Sequence, residues 1–164
     1  MNPRNEGSTL AALAALIAEA FNAAPRPRDD ALVSGDVTYD PEYRDVARDF
    51  SGQTWQALTR DFVRAHADAL PLLTAPAFRY FLPAYLLACL RAGAELDTVP
   101  FNVVSSLAPP EDAEPAALAF WADRARLFSA AEARAIRAYL EDARSREADA
   151  ATLRALAYWR SCPA

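Results

Sequence analysis

Phe78-Arg79-Tyr80-Phe81-Leu82-Pro83-Ala84-Tyr85-Leu86-Leu87-Ala88-Cys89-Leu90 is the most apolar stretch of the chain. It is hydrophobic on nearly every side of a helical projection, which marks a helix covered all round rather than one lying on a surface. Thr74-Ala75-Pro76 ahead of it has the form of a cap followed by proline near the first turn, and Gly93 closes it. The stretch is too short, and too interrupted by Arg79, Pro76 and Pro83, for the roughly 20 residues of a membrane span. Pro83 breaks a local rule. Inside a helix it removes a hydrogen bond and presses on the carbonyl of Arg79, at about 3 kcal/mol if uncompensated. Either the helix kinks there, freeing a carbonyl beside Arg79 and Tyr80, or one helix stops near Phe81 and Pro83 opens the next.

Composition agrees with a helical reading. Ala occurs 39 times and Leu 19 times in 164 residues, against nine Val and Ile together, and only four Gly are present to make hairpin turns. The expectation is an all-α, compact, single-domain bundle spanning 1–164, with about seven helices around a buried, proline-kinked central helix. Trp55, Phe78, Phe81, Leu82, Leu86, Ile136 and Leu140 are expected to be buried together.

Outward from the centre, the flanking segments read as amphipathic. A first helix capped by Ser8 or Thr9 places Leu10, Leu13, Ile17 and Phe21 on one face. Glu6 and Glu19 oppose a signal peptide. Residues 23–40 read as a long loop in which only Val33 and Val37 tolerate extended structure. Asp40-Pro41 starts a helix with Tyr43, Val46, Ala47 and Phe50 on one face and Glu42, Asp45 and Asp49 on another. Thr54 to about Ala67 reads as a helix with Trp55, Leu58, Phe62 and His66 in line. A short helix after Thr98 shows Phe101, Val104 and Leu107, and 109–114 is a polar loop. A helix from Pro115 presents Leu118, Trp121 and Ala125. Ser129 and Glu132 form a capping box for a helix with Ala133, Ile136, Tyr139 and Leu140 inward. The last helix, from about Asp149, shows Leu153, Leu156 and Trp159.

The charge pattern excludes several functions. All 17 basic residues are Arg, so no chemistry that requires a lysine is available. A net charge of −5 argues against general nucleic-acid binding, which depends on clustered cations. The whole of that charge lies between Asp29 and Asp49, where seven acids face two arginines. Cys89 and Cys162 read as two free thiols in a reducing cytoplasm.

Catalytic and metal-binding patterns are sparse. A hydrolase triad would have to use His66, the single histidine, and no Gly-x-Ser-x-Gly elbow accompanies it. His and Cys number three in total, without zinc spacing. The carboxylate pairs Asp45/Asp49 and Glu141/Asp142 have no calcium-loop pattern around them. No metal and no cofactor is expected.

The segments Phe50-Ser51-Gly52-Gln53-Thr54-Trp55, Phe78-Arg79-Tyr80-Phe81-Leu82-Pro83-Ala84-Tyr85-Leu86, Phe128-Ser129 with Ala135-Ile136 and Tyr139-Leu140, and Tyr158-Trp159 resemble an uncharacterised bacterial family, classed as a domain of unknown function. The likeness runs from about Phe50 to Trp159 and leaves residues 1–49 outside it. It implies no activity.

Two functions are therefore weighed. The first is a cytoplasmic, non-enzymatic protein-binding module, an acidic inhibitor or immunity-type protein that covers a basic partner protein through Asp36, Tyr39, Asp40, Glu42, Asp45 and Asp49. It needs no membrane and no nucleic acid. The second is a small-ligand binder or enzyme using a pocket near Pro83 formed by Arg79, Tyr80, Tyr85 and His66.

Overall fold

A computed structural model describes residues 3–162. Among the described residues eight α-helices run in order: α1 (Pro3–Phe21), α2 (Pro41–Phe50), α3 (Arg60–Ala65), α4 (Ala75–Ala92), α5 (Val99–Leu107), α6 (Pro115–Ala125), α7 (Ala130–Arg146) and α8 (Ala150–Ser161). Short 3-10 turns at Asp29–Ala31, Trp55–Ala57, Leu70–Leu72 and Gly93–Leu96 join them. Among the described residues there is no strand, and the single extended pairing is an isolated antiparallel bridge between Val33 and Leu73. The fold is an all-α bundle.

Five helices close a ring around the core: α4 packs on α1, α1 on α7, α7 on α8, α8 on α5, and α5 back on α4. Helices α3 and α6 pack on α4 from outside that ring. Every residue from Tyr80 to Cys89 is buried, as the all-round apolar pattern requires. The seven core residues expected from the sequence are all buried.

Helix α4 runs unbroken through Pro83, so two separate helices are excluded. The energetic balance explains this. Phe81, Leu82, Tyr85 and Leu86 have no exposed surface, and burying such side chains is worth roughly 1.5–3 kcal/mol each against about 3 kcal/mol for a helical proline. Packing on both sides of the proline holds the helix together.

Local chemistry sets several boundaries. Asp40 caps α2 by accepting from the Glu42 N–H at 2.9 Å, with Pro41 at the first helical position. Ser129 and Glu132 form the full capping box of α7. Asp149 caps α8 through the Thr152 N–H at 2.6 Å. Gly52 adopts φ +71° just beyond α2, a conformation that favours glycine.

Other expectations need correction. Helix α1 begins at Pro3, so Ser8 and Thr9 lie inside it rather than capping it. Thr54 to Ala67 is two pieces, because the Thr59 side chain accepts from the Phe62 N–H and starts α3 afresh after an extended Leu58. Val104 and Leu107 are buried as expected, but Phe101 is 61% exposed: Val99 and Val103 are also buried, and a residue two positions from both of them points away from that side. Leu118 and Leu153 are also exposed. On α8 the buried set is Thr152, Ala155, Leu156 and Trp159, and Leu153 stands on its flank.

The loop 23–40 is seated by small residues as well as by bonds. The Ser34 N–H donates to the Leu72 carbonyl at 2.8 Å and the Thr74 N–H to the Leu32 carbonyl at 2.9 Å. Gly35 lies directly against the ring of Tyr43, leaving no room for a Cβ, whereas Gly7 in α1 has open space around it. Gly35→Ala should therefore destabilise the fold by roughly 1–3 kcal/mol as Tyr43 is displaced. Gly7→Ala should stabilise it by about 0.5–1 kcal/mol through helix propensity. Urea denaturation of the two variants checks the opposite signs.

Candidate functional site

Helix α2 buries Val46 and Phe50 and turns its acids outward. Phe50 meets Phe81 of α4 edge-on at 4.9 Å and Phe62 of α3 at 5.1 Å, which fixes the orientation of the helix. Between α2 and the chain just after α3 lies a cleft of about 480 Å³, lined by Glu42, Asp45, Arg48, Asp49, His66 and Asp68 among others. The acidic helix and the single histidine, unrelated in sequence, thus face one space.

Arg48 sits among the carboxylates. Its Nη1 donates to Asp45 at 2.8 Å and its Nε to Asp49 Oδ1 at 2.8 Å. The other Asp49 oxygen lies 3.0 Å from His66 Nε2. The Asp49 carboxyl is held below its ordinary range, first by the Arg48 hydrogen bond and then by that from His66.

His66 is fixed on every side. Its ring stacks on Phe62 at 4.1 Å and meets the edge of Phe50 at 5.4 Å. Its Nδ1 lies 2.9 Å from the Phe62 carbonyl. A relay of the Ser-His-Asp kind needs one ring nitrogen on the carboxylate and the other on a nucleophile. Here the second nitrogen faces a backbone oxygen.

The structure separates the other residues proposed for a pocket near Pro83. Arg79 donates through Nε to both oxygens of Glu132 at 3.0 Å. Glu132 is 1% exposed and also accepts from the Ser129 N–H, so this pair holds α4 to the start of α7. Tyr80 is buried. Tyr85 is fully buried, donates its hydroxyl to the His66 carbonyl at 2.8 Å, and has its phenol pushed far up by burial. Tyr85 thus meets the His66 backbone, whereas Arg79 is committed to Glu132 and the His66 ring faces Asp49, so the four side chains do not converge on one group.

The acidic residues also differ from their sequence reading. Asp36 accepts from the Thr38 N–H at 2.7 Å and Asp40 is a helix cap, while Tyr39 between them is 85% exposed. Asp30 pairs with Arg28 at 2.6 Å, and Asp29 pairs with Arg26 and accepts from the Gly52 N–H. Over residues 26–49 seven acids thus meet four arginines. A window opened at Asp29 misses the two arginines immediately before it. Asp68 was missed as well, since only the fold brings it to α2. The pairing of Arg48 with Asp45 was legible in their spacing of three, whereas adjacent helical positions give no such signal for Asp49.

Among the described residues no group of three or more His, Cys, Asp and Glu side chains is arranged to hold a metal ion. No helix there is long and apolar enough to cross a membrane. Cys89 is buried, Cys162 is partly exposed, and the two form no disulfide.

A model of a family of unknown function, DUF6714, matches residues 9–162. The chain belongs to that family. The DUF6714 match begins within α1, so the loop 23–40 and the acidic helix fall inside it. This corrects the narrower likeness, which left residues 1–49 outside. No curated protein and no solved structure matches the chain.

The lowered Asp49 carboxyl gives a pH dependence of known sign. A carboxyl that titrates in the fold below its ordinary value of 3.8 stabilises the fold fully above that value. That contribution is lost as pH falls through the lower, folded value. Asp49→Asn should therefore be less stable than the wild type above about pH 4, the gap narrowing toward pH ~2. Urea midpoints across that range measure it; a gap that stays constant contradicts the assignment.

Proposed function

We propose that the chain is a cytoplasmic, non-enzymatic protein-binding module that offers the α2 side of the molecule to a basic partner protein. In the concrete form it is a small acidic inhibitor or immunity-type protein. The observation that carries this reading is Tyr39, 85% exposed and one residue ahead of the cap of α2, with Val37, two positions before it, 40% exposed. Exposed tyrosine flanked by carboxylates suits a binding hot spot, since the ring supplies area and the charges supply steering. Asp36 and Asp40 flank it and Glu42 follows on the exposed side of α2. Among the described residues no ion pair engages Glu42. Asp45 and Asp49 lie further along the same face and share Arg48, so they present less free charge than their number suggests.

The reading needs no metal, cofactor, nucleic acid or membrane. Its test is a pair of outward-facing changes, Tyr39→Ala with Glu42→Arg, which leave Arg48, Asp49 and His66 in place. Folding should stay within about 0.5 kcal/mol of the wild type. Against the partner captured from the native host, the double variant should associate more slowly, and its remaining affinity should depend less on salt. Equal affinity of both proteins at low and high salt would mean that this face is solvated surface only.

A further inference from the structure

Helix α6 carries a buried cation that the acidic face does not use. Arg124 is 5% exposed. Its Nη2 donates to the carbonyls of Pro71 at 2.7 Å and Leu73 at 2.6 Å, which closes α6 onto the turn Leu70–Leu72. Its Nε is buried without a hydrogen-bond partner. The guanidinium lies over the ring of Phe120 at 4.3 Å and over that of Phe78 at 4.9 Å.

Two carbonyls and two ring faces solvate this cation, and none of them carries a formal charge. Burial draws the Arg124 pKa down to about 10, so the side chain still carries its charge at neutral pH. A buried charge without a counter-ion is costly, and an anion brought to it gains from the low local dielectric.

Arg124 also lines a cavity of about 320 Å³, at the lower end of the range for small-molecule sites. Phe120 and Trp121 belong to the same wall, because positions 120, 121 and 124 fall on one side of α6. Asn102 and Ser106 of α5 supply polar groups opposite. Asp68 stands at the exposed edge, its Oδ1 accepting from Asn102 Nδ2 at 2.7 Å. An exposed carboxylate is screened by water and does not neutralise a buried arginine.

We propose that this cavity binds a small aromatic monocarboxylate, with the carboxylate on the Arg124 guanidinium and the ring against Phe120 and Trp121. The charged hydrogen bond supplies the anchor and the aromatic wall supplies the area. Phosphate offers no ring to the wall of Phe120 and Trp121. Asp68 borders both this cavity and the cleft beside α2, but neither reading requires the other.

Calorimetric titration of the full chain with phenylacetate, benzoate and indole-3-acetate tests it, with the neutral amide of each and inorganic phosphate as controls. At least one acid should bind saturably below about 10 mM. Its amide and phosphate should bind at least about ten-fold more weakly, the scale of a hydrogen bond to a charged group. Arg124 itself holds α6 in place, so its replacement would mix binding with folding. Ala117 is exposed on α6 and lines the cavity; Ala117→Trp should fill the space, cut the affinity at least about ten-fold and leave the thermal midpoint unchanged. Ser106→Phe fills the cavity from the α5 side and should do the same. The proposal is overturned if no acid binds, if the amide or phosphate binds as well as the acid, or if a folded cavity-filling variant binds like the wild type.

Discussion

The burial of α4 on all sides is the constraint from which the remaining arrangement follows. A helix whose residues from Tyr80 to Cys89 are all inaccessible needs neighbours around its whole circumference, and one layer of packing cannot supply them. Helices α1 and α5 flank it, α7 and α8 complete the ring, and α3 and α6 cover what is left. Pro83 is tolerated because its neighbours on the same helix are packed too well for the chain to open there. The short helices α2 and α3 are placed in turn by aromatic edges: Phe50 on Phe81, and Phe62 on Phe50.

Charge inside this apolar centre is handled in two different ways. Glu132 is buried but fully engaged, by Arg79 and by the Ser129 backbone, so its negative charge meets a cation and a helix N-terminus together. Arg124 is buried against carbonyl oxygens and aromatic faces alone. The first arrangement is a structural tie between α4 and α7. Among the described residues the second leaves a cation without a counter-ion beside a cavity.

The acidic face shows a similar division of labour. Asp40 serves α2 as its cap, Asp49 ties α2 to α3 through His66, and Asp29 ties the long loop to Gly52. These acids are spent on holding the segment to the body of the protein. Asp36 closes only a local turn through the Thr38 N–H, and Tyr39 and Glu42 are exposed.

The sequence by itself determined the fold class, the central helix and most of the caps. These depend on residues within a turn or two of each other: the all-round apolar run, Asp40-Pro41, the Ser129–Glu132 box, and the spacing of three and then four through Ala133, Ile136 and Leu140. The membership of each side-chain cluster was decided only by the tertiary structure. His66 could be assigned to Tyr85 or to an acid equally well by spacing, and it is the packing of Phe50 on Phe81 that sets Asp49 beside it. Likewise nothing local distinguishes Arg124 from sixteen other arginines. It is buried because α6 crosses α4 where Phe78 and the carbonyls after the turn at Leu70 await it. Periodicity reports which side of a helix is covered, and it carries no information about what covers it.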